Sequence, residues 1–339
     1  MERDGFMGNS GTERDLVYRE LAKDLVAEGI AVIRYDNRGV RCNEMTMSAC
    51  PDCRSELEIT KYYLQACIDA DVRLSVTVQT QMDDVEDLWD FCTNHSQIDA
   101  KRTLVLAHSE GCLNTARLIG AERICPRAAI FVCTASESPA GLVRWQCVDR
   151  YVEHLMRWDD DGDGRVTEAD VDKQYPHDHL FPTVGITREF LEPSKGGWTG
   201  ETIQNLFERY YEEIKAAALA KPDDAPYPDP VPEFRMVAAS NNWWKQWFED
   251  TTPMIDHLAR YRGYASFHIG GIDSQSPGKR EFAFAEQRIQ SGTFVRPPRL
   301  VFHGNRGHAL RTGEPAVGPM DNEAKACLIK EIREVLTGE

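Results

Sequence analysis

The stretch TLVLAHSEGCLN, residues 103–114, joins an apolar run to a helix-like segment through a short polar turn. The run Thr103–Ala107 has the continuous apolar character of a strand that is buried on both faces, and helical spacing begins at Gly111. Ser109 therefore lies where a strand ends and a helix begins. Serine is common at that point as a helix N-cap, and it is also the nucleophile of strand–turn–helix elbows.

Strand-like and helix-like segments alternate on both sides of this turn. Apolar runs typical of buried strands cover residues 30–35, 128–133, 264–271 and 299–304. Helical spacing covers residues 13–28, 60–95, 279–291 and 320–337. Such alternation predicts an α/β fold with a mostly parallel sheet flanked by helices. Residues 137–255 contain no strand-like run, so we expect a helical insertion within a core made of residues 1–136 and 256–339.

Composition narrows the classes of partner. The 339-residue chain carries 39 basic and 55 acidic residues, for a net charge of −16. This acidity disfavours a nucleic-acid partner, because phosphate binding needs clustered lysine and arginine. No apolar run approaches the roughly 20 residues of a membrane-spanning helix. The sequence also lacks a charged start followed by an apolar stretch, the pattern that would predict an export signal.

Cysteines concentrate in the polar segment after the first predicted strand. Cys50 and Cys53 form a CPDC pair, with Cys42 and Cys67 nearby. A disulfide, a zinc knuckle and a redox pair are all compatible with this spacing. A second pair of ligands at the spacing of a zinc site is missing from the sequence, which favours ordinary thiols or one local disulfide.

A serine hydroxyl becomes a nucleophile only beside a base, and the base needs a carboxylate to orient it. Asp273, in GGIDSQSP, directly follows one predicted strand, and His308, in HGNRGHAL, follows another. Since the carboxyl ends of parallel strands share one edge of a sheet, these residues predict a triad of Ser109, Asp273 and His308. Asp273 as an ordinary turn residue is the alternative. His303 competes with His308, but its place at the strand end favours a packing role.

With these motifs in place, the chain resembles the serine esterases of the α/β-hydrolase superfamily. The resembling segments are RYDNRG (34–39), the nucleophile elbow AHSEG (107–111) with Ala at the usual Gly position, the acid turn GGIDSQSP (270–277) and the histidine loop GNRGH (304–308). The chain order Ser, Asp, His is also that of the superfamily. The resemblance covers residues 5–136 and 256–337 and implies an α/β-hydrolase-type sheet with a helical cap inserted after the sixth strand.

The resemblance implies a carboxylesterase that acts on a small-molecule ester or acyl substrate without an organic cofactor. Ser109 would attack the carbonyl carbon, His308 would move the proton, and Asp273 would orient the imidazole. The residues leave open a peptidase, a thioesterase or an acyltransferase on the same triad. They also leave open a catalytically inactive calcium-binding fragment.

The N-terminal stretch DGFMGNSGTERD, residues 4–15, resembles the HG-x-x-G oxyanion loop of that superfamily, with Asp4 in place of His. By position, the two oxyanion donors would be the backbone N–H groups of Phe6 and Glu110, with Met7 as the alternative to Phe6. The superfamily has a strand directly before this loop, whereas only MERDG is available here. We therefore expect the N-terminal strands to be missing through a shortened product, and a leader lost with them would leave an extracytoplasmic location open.

A second motif, DDDGDGRVTEAD at residues 159–170, matches an EF-hand calcium loop within the predicted insertion. The oxygen donors at ligand positions are Asp159, Asp161, Asp163, the backbone carbonyl of Arg165, Thr167 and Asp170. Gly164 occupies the sixth position, where the loop turns sharply. Asp170 replaces the usual Glu, which predicts weaker calcium binding or a shift toward magnesium. A solvated acidic loop without an ion is the alternative, and the absence of a second acidic loop favours a structural ion over a sensor.

Overall fold

A computed structural model describes residues 17–35, 37–39, 69, 71–72, 75–178, 180–183, 186–193, 196–223, 240–313 and 319–338. Within these ranges the helices are α1 (Val17–Ala27), α2 (Val78–Asn94), α3 (Glu110–Gly120), α4 (Pro139–Arg144), α5 (Arg150–Met156), α6 (Glu168–Gln174), α7 (Leu180–Thr183), α8 (Gly200–Ala220), α9 (Asn241–Glu249), α10 (Gly278–Gln290) and α11 (Asn322–Thr337). The strands are β1 (Leu104–His108), β2 (Ala128–Val132), β3 (Arg165–Val166), β4 (Trp198–Thr199), β5 (Tyr264–Gly270) and β6 (Arg299–His303).

The main sheet has the order β1-β2-β5-β6, and each neighbouring pair is parallel. Every residue of β2 is buried, as expected for a central strand covered on both faces. The register pairs His108 with Val132, Val132 with His268, and Gly270 with His303, so the strands end along one edge. The α/β class with a mostly parallel sheet that the sequence predicts is confirmed.

Helices α1 and α11 cover one part of this sheet with apolar side chains spaced at helical intervals. They share a single core cluster with β2, made of Val17, Leu21 and Leu25 of α1, Ala324, Leu328 and Ile332 of α11, and Ile130 and Val132. Asp321 caps α11 by accepting hydrogen bonds from the N–H groups of Glu323 and Ala324. Such a cap satisfies N–H groups that have no acceptor within the helix.

Residues 30–35 differ from the sequence prediction of a buried strand. Their side chains are half-buried or exposed, and no described residue pairs with them in a strand ladder. Ile30 and Val32 instead pack against the core cluster shared by α1 and α11. An apolar run becomes a strand only where a neighbouring backbone accepts its hydrogen bonds, and the described residues supply no such neighbour here.

The chain divides into two compact units. The first comprises residues 1–72, 76–139 and 251–339 and contains the main sheet, and the second comprises residues 73–75 and 140–250. The second unit is largely helical, with Tyr151, Phe181 and Phe207 buried against one another. Among the described residues, no helix combines the length and the apolar character needed to cross a bilayer.

The expectation that the insertion holds no strand is wrong. Strands β3 and β4 pair antiparallel, with Arg165 opposite Thr199 and Val166 opposite Trp198. Two residues are too few for an apolar run to reveal a strand in the sequence.

Candidate active site

Ser109 lies on a strained turn between β1 and α3. Its backbone has φ 51° and ψ −127°, a region that non-glycine residues seldom occupy. Holding a residue there costs about 1–3 kcal/mol and is common where a side chain must be presented for chemistry. The turn is fixed from the neighbouring strand, because the Ser109 N–H donates to the Val132 carbonyl at 3.1 Å. Ala107, two residues earlier, is fully buried and leaves room for this conformation.

Glu110 is the first residue of α3, so its backbone N–H belongs to the turn whose donors point out of the helix N-terminus. That end of a helix carries a partial positive charge and favours an anion. The predicted partners in an oxyanion hole, Phe6 and Met7, lie outside the described residues.

Asp273 lies in the turn after β5 with its side chain only 1% exposed. Its Oδ1 accepts hydrogen bonds from the N–H groups of Gln275 (2.7 Å) and Ser276 (3.1 Å). The Ser276 hydroxyl donates to Oδ2 at 3.2 Å. These donors compensate a buried carboxylate for lost water and hold it in one orientation.

His308 contacts Asp273 through Nδ1, which lies 2.9 Å from Oδ2 and 3.1 Å from Oδ1. A carboxylate at Nδ1 favours the tautomer that carries its proton there, which leaves the lone pair of Nε2 available as a base. The His308 side chain is 19% exposed, so the ring can meet a molecule from solvent. The structure therefore brings together two of the three predicted triad residues by direct contact.

Two glycines allow the acid turn and the histidine loop to approach this closely. A Cβ on Gly270 would lie 2.7 Å from the backbone oxygens of both Arg306 and Gly307, and one on Gly271 would lie 2.4 Å from the Gly304 oxygen. The Gly271 N–H donates to the His303 carbonyl at 2.9 Å. Backbone packing thus sets the distance between Asp273 and His308.

His108, which directly precedes Ser109, places its ring beside that of His308. The ring of His108 lies 4.6 Å from that of His308, measured between centroids. Within the described parts of the chain, no hydrogen bond joins the Ser109 hydroxyl to His308. Such bonds are often long before a substrate binds. Burial, helped by the charges of His308 and Arg311, holds the pKa of His108 well below its usual range, so its ring is neutral.

Cys133 also reaches this cluster, although it is not among the site residues that the sequence motifs predict. It follows β2 directly, and its thiol lies with ring nitrogens of His108 and His308 in a group whose ligand atoms are all within 4.8 Å of one another. The signal was present in the sequence, because a cysteine ends the strand run AAIFVC at the edge that also holds Ser109.

A buried carboxylate fixes the turn that follows β2. Glu281 of α10 accepts hydrogen bonds from the Ser136 N–H (2.6 Å), the Ser136 hydroxyl (2.7 Å) and the Glu137 N–H (3.0 Å). Burial raises the pKa of Glu281 to about 7, with a further contribution from the negative charge of Glu137. Sequence periodicity alone does not mark such a residue, because it lies on a helix rich in charged side chains.

His303, the competitor of His308, belongs to another group of side chains. Its Nε2 lies 3.0 Å from Nδ1 of His268, and Nε2 of His268 lies 3.2 Å from Oε2 of Glu331. Burial, together with the charge of His268, lowers the pKa of His303 to about 4. Burial alone would raise the pKa of Glu331, but its contacts with His268 and Arg299 lower it, so the carboxylate is ionised.

The acidic loop of the second unit brings three of its predicted ligands together. Carboxylate oxygens of Asp159, Asp161 and Asp163 all lie within 4.8 Å of one another. The N–H groups of Gly162 and Gly164 each donate to Asp159 at 2.8 Å. These bonds fix the turn in which the three carboxylates lie close together.

Asp170 and Thr167 differ from this arrangement. The Asp170 carboxylate accepts from the Thr167 N–H at 2.8 Å, and the Thr167 hydroxyl oxygen accepts from the Asp170 N–H at 3.3 Å, which together form the capping box of α6. A shorter Asp at the twelfth position satisfies the helix cap rather than joining the cluster. Arg165 presents its N–H to Asp163 at 2.8 Å, and its role as a carbonyl ligand stays a prediction.

The loop also has a structural counterpart that carries no ligand carboxylates. Gly164 and Thr167 are matched by Gly196 and Thr199, with the same spacing, positive φ at both glycines and capping boxes at both threonines. In the β3–β4 ladder, Val166 and Trp198, the eighth residue of each segment, lie opposite each other. Arg165, the seventh residue of one segment, lies opposite Thr199, the ninth of the other. The two strand pairs are therefore symmetric about the middle of this short ladder. By sequence spacing alone, the first three acidic positions correspond to Leu191, Pro193 and Lys195, of which Lys195 lies outside the described residues.

No family model and no curated protein matches the chain. Solved structures similar to it include one from a study of two metagenome-derived lipolytic enzymes, LipS and LipT (10% identity, TM-score 0.45, 97% of this chain and 90% of that one). Others are a thermophilic esterase from Thermogutta terrifontis with malate bound (15%, 0.38, 77% and 73%) and a monoacylglycerol lipase from Paleococcus ferrophilus (12%, 0.36, 78% and 77%). At these identities and TM-scores, the likenesses carry no conclusion about the reaction of this chain.

Proposed function

We propose that this chain is a serine hydrolase that acts on carboxylic esters through Ser109, His308 and Asp273. The observation that carries the proposal is the buried Asp273 carboxylate on Nδ1 of a partly exposed His308. The strained Ser109 turn, which follows β1 of the same parallel sheet, adds to it. A buried acid, an oriented imidazole and a serine at a helix N-terminus are the parts that acyl transfer requires.

In this mechanism His308 Nε2 removes the proton from the Ser109 hydroxyl as the oxygen attacks the ester carbonyl. The backbone N–H of Glu110 stabilises the developing oxyanion, and residues 4–15 would supply a second donor. Removing one donor of this kind commonly costs about 10²–10³ in rate. His308 then gives the proton to the leaving alcohol, and water attacks the acyl-enzyme by the same route. Asp273 stabilises the imidazolium throughout without taking the proton.

The test is the intact mass of the protein after reaction with a fluorophosphonate probe. Wild type and Ser291→Ala, a matched change at an exposed serine, should each gain one adduct, whereas Ser109→Ala should gain none. No adduct on wild type, or an adduct that persists in Ser109→Ala, would contradict the proposal. A panel of ester, anilide and thioester substrates then separates an esterase from a peptidase, thioesterase or acyltransferase.

We further propose that residues 159–170 bind one calcium ion, which would stabilise the second unit and take no part in the reaction. Three carboxylates gathered within 4.8 Å repel one another, and a divalent cation would relieve that repulsion. Their oxygen donors are the type that Ca²⁺ and Mg²⁺ prefer. The counterpart loop at 191–202 lacks these carboxylates, which supports a single ion per chain.

Calorimetric titration with Ca²⁺ and with Mg²⁺ tests this second proposal. Asp161→Asn should weaken binding at least tenfold, on the order of one ligand's contribution. Asp160→Asn is the matched control, because its carboxylate pairs with Lys173 at a position that does not supply a ligand. A Ca²⁺ concentration of about 100 times Kd should stabilise the fold by about 2.7 kcal/mol. Equal titrations of the two variants would reject the site.

A further inference from the structure

The geometry points to a transition-metal site formed by His108, Cys133 and His308, at which Zn²⁺ binds and blocks the base. One ring nitrogen from each histidine and the cysteine sulfur all lie within 4.8 Å of one another. His108 ends β1, Cys133 follows β2, and His308 follows β6, so parallel strand ends bring the three together. The metal site rests on these positions alone, whereas the blocking of the base rests on the proposed function.

The donor set suits zinc rather than calcium. Two imidazole nitrogens and one thiolate match the ligand types of zinc sites, with bonds of about 2.0–2.1 Å to nitrogen and 2.3 Å to sulfur. Ligand atoms in such a tetrahedron are roughly 3–4 Å apart. Shifts of about 1 Å in the side chains would therefore close the cluster around an ion, with a water molecule at the fourth position.

Asp273 completes the arrangement without touching the ion. Its carboxylate holds Nδ1 of His308 at 2.9 Å, which leaves Nε2 as the ligand atom. A carboxylate on the second nitrogen of a ligating histidine fixes the ring and increases its basicity. The contact that would prepare His308 for catalysis therefore also prepares it for a metal.

The exposure of the three side chains is compatible with binding of an ion from solution. His108 is 3% and Cys133 2% exposed, whereas the His308 side chain is 19% exposed and forms the open side. Zinc binds a cysteine as its thiolate. Binding would form the Zn–S bond, break the S–H bond and release one proton to water.

Occupancy would prevent general-base catalysis, because the metal takes the Nε2 lone pair that removes the Ser109 proton. Zinc would then act as a reversible inhibitor at the sheet edge, independent of calcium at residues 159–170. Loss of the thiol should relieve this inhibition by at least about tenfold, the lower limit for removing metal-site partners.

Cobalt titration of the Ser109→Ala protein tests the site without relying on activity. Co²⁺ bound to a thiolate gives a charge-transfer absorption, and other cysteines in the chain can contribute to it. The comparison is therefore between Cys133→Ser and Cys112→Ser in that background, since Cys112 is a buried cysteine on the neighbouring α3. We expect one equivalent of the absorption to disappear in Cys133→Ser and to remain in Cys112→Ser. Identical spectra for the two would overturn the proposal.

A second variant keeps the test decisive where Cys133→Ser fails to fold. His108→Gln retains the thiol but removes a nitrogen ligand, so the Co²⁺ titration midpoint should rise at least about tenfold. An unchanged midpoint would also overturn the site. If no ester hydrolysis is found, the cobalt result still stands, so failure of the metal site and failure of the hydrolase proposal are distinguishable.

Discussion

The first unit contains two histidine–carboxylate pairs that differ in their access to solvent. In one, His308 contacts Asp273, with side chains 19% and 1% exposed. In the other, His268 lies 3.2 Å from Glu331, with side chains 0% and 3% exposed. The first pair lies in loops beyond the strand ends, and the second joins a strand interior to α11.

The difference separates a pair that can exchange protons with a substrate from one that can only stabilise the fold. His308 has one nitrogen on a carboxylate and a ring face toward solvent, whereas His268 is enclosed and contacts His303 through its other nitrogen. Similar chemical groups thus serve different roles because of position along the strand. Three substitutions test that interpretation.

The largest expected effect is on the exposed pair. Asp273→Asn keeps the shape and the acceptor of the side chain but no longer fixes the productive His308 tautomer, so the rate of ester hydrolysis should fall about 10⁴-fold, which is about 5 kcal/mol of activation free energy. The free energy of unfolding should change much less. A variant with nearly full kcat/KM would show that the pair is structural, like its enclosed counterpart.

The opposite outcome is expected for the enclosed pair. Glu331→Gln removes a buried ionised carboxylate that contacts His268 and Arg299, and breaking such a group should lower the free energy of unfolding by roughly 3 kcal/mol. The rate of ester hydrolysis by the folded protein should stay within a few-fold of wild type. Denaturant unfolding and kcat/KM measured on the same preparation check both statements. A large loss of rate without loss of stability would erase the distinction between the pairs.

The sequence predicts the sheet well because buried parallel strands are continuous apolar runs. Leu104–His108 and Ala128–Val132 lie within one residue of their predicted ranges. It fails for residues 30–35, whose apolar character is real but whose pairing depends on neighbouring backbone. It also misses β3 and β4, since two-residue strands arise from paired loops and leave no apolar period.

For the site, chain order and strand ends predict that Asp273 and His308 lie close together. The close approach of Gly270 to residues 306–307 that enforces this contact is invisible in sequence, because it depends on the packing of two backbones. Cys133 ends a predicted strand run, which places it at the edge that also holds Ser109. Its proximity to His308 depends in addition on the loop after β6, where the Gly307 carbonyl accepts from the Cys133 thiol at 3.6 Å.

The smallest expected effect is the pH dependence that His303, the neighbour of His268, gives to the free energy of unfolding. The pKa of His303 is lowered to about 4 by burial and by the charge of His268, so the unfolded chain binds this proton more readily than the folded one. Its contribution to stability is full above the unfolded pKa, near 6.5, and is lost as the pH falls toward 4.

Between pH 7 and pH 5 this contribution should fall by about 1–2 kcal/mol. Glu281 acts in the opposite sense, because its raised pKa makes the folded chain bind a proton more readily. Denaturant unfolding of wild type and His303→Asn at both pH values isolates the histidine, since Glu281 is common to both. The wild type should lose about 1–2 kcal/mol more than the variant over this interval. Equal losses of stability in wild type and His303→Asn would mean that His303 takes up a proton as readily in the fold as in the unfolded chain. The two histidine–carboxylate pairs would then differ in exposure alone.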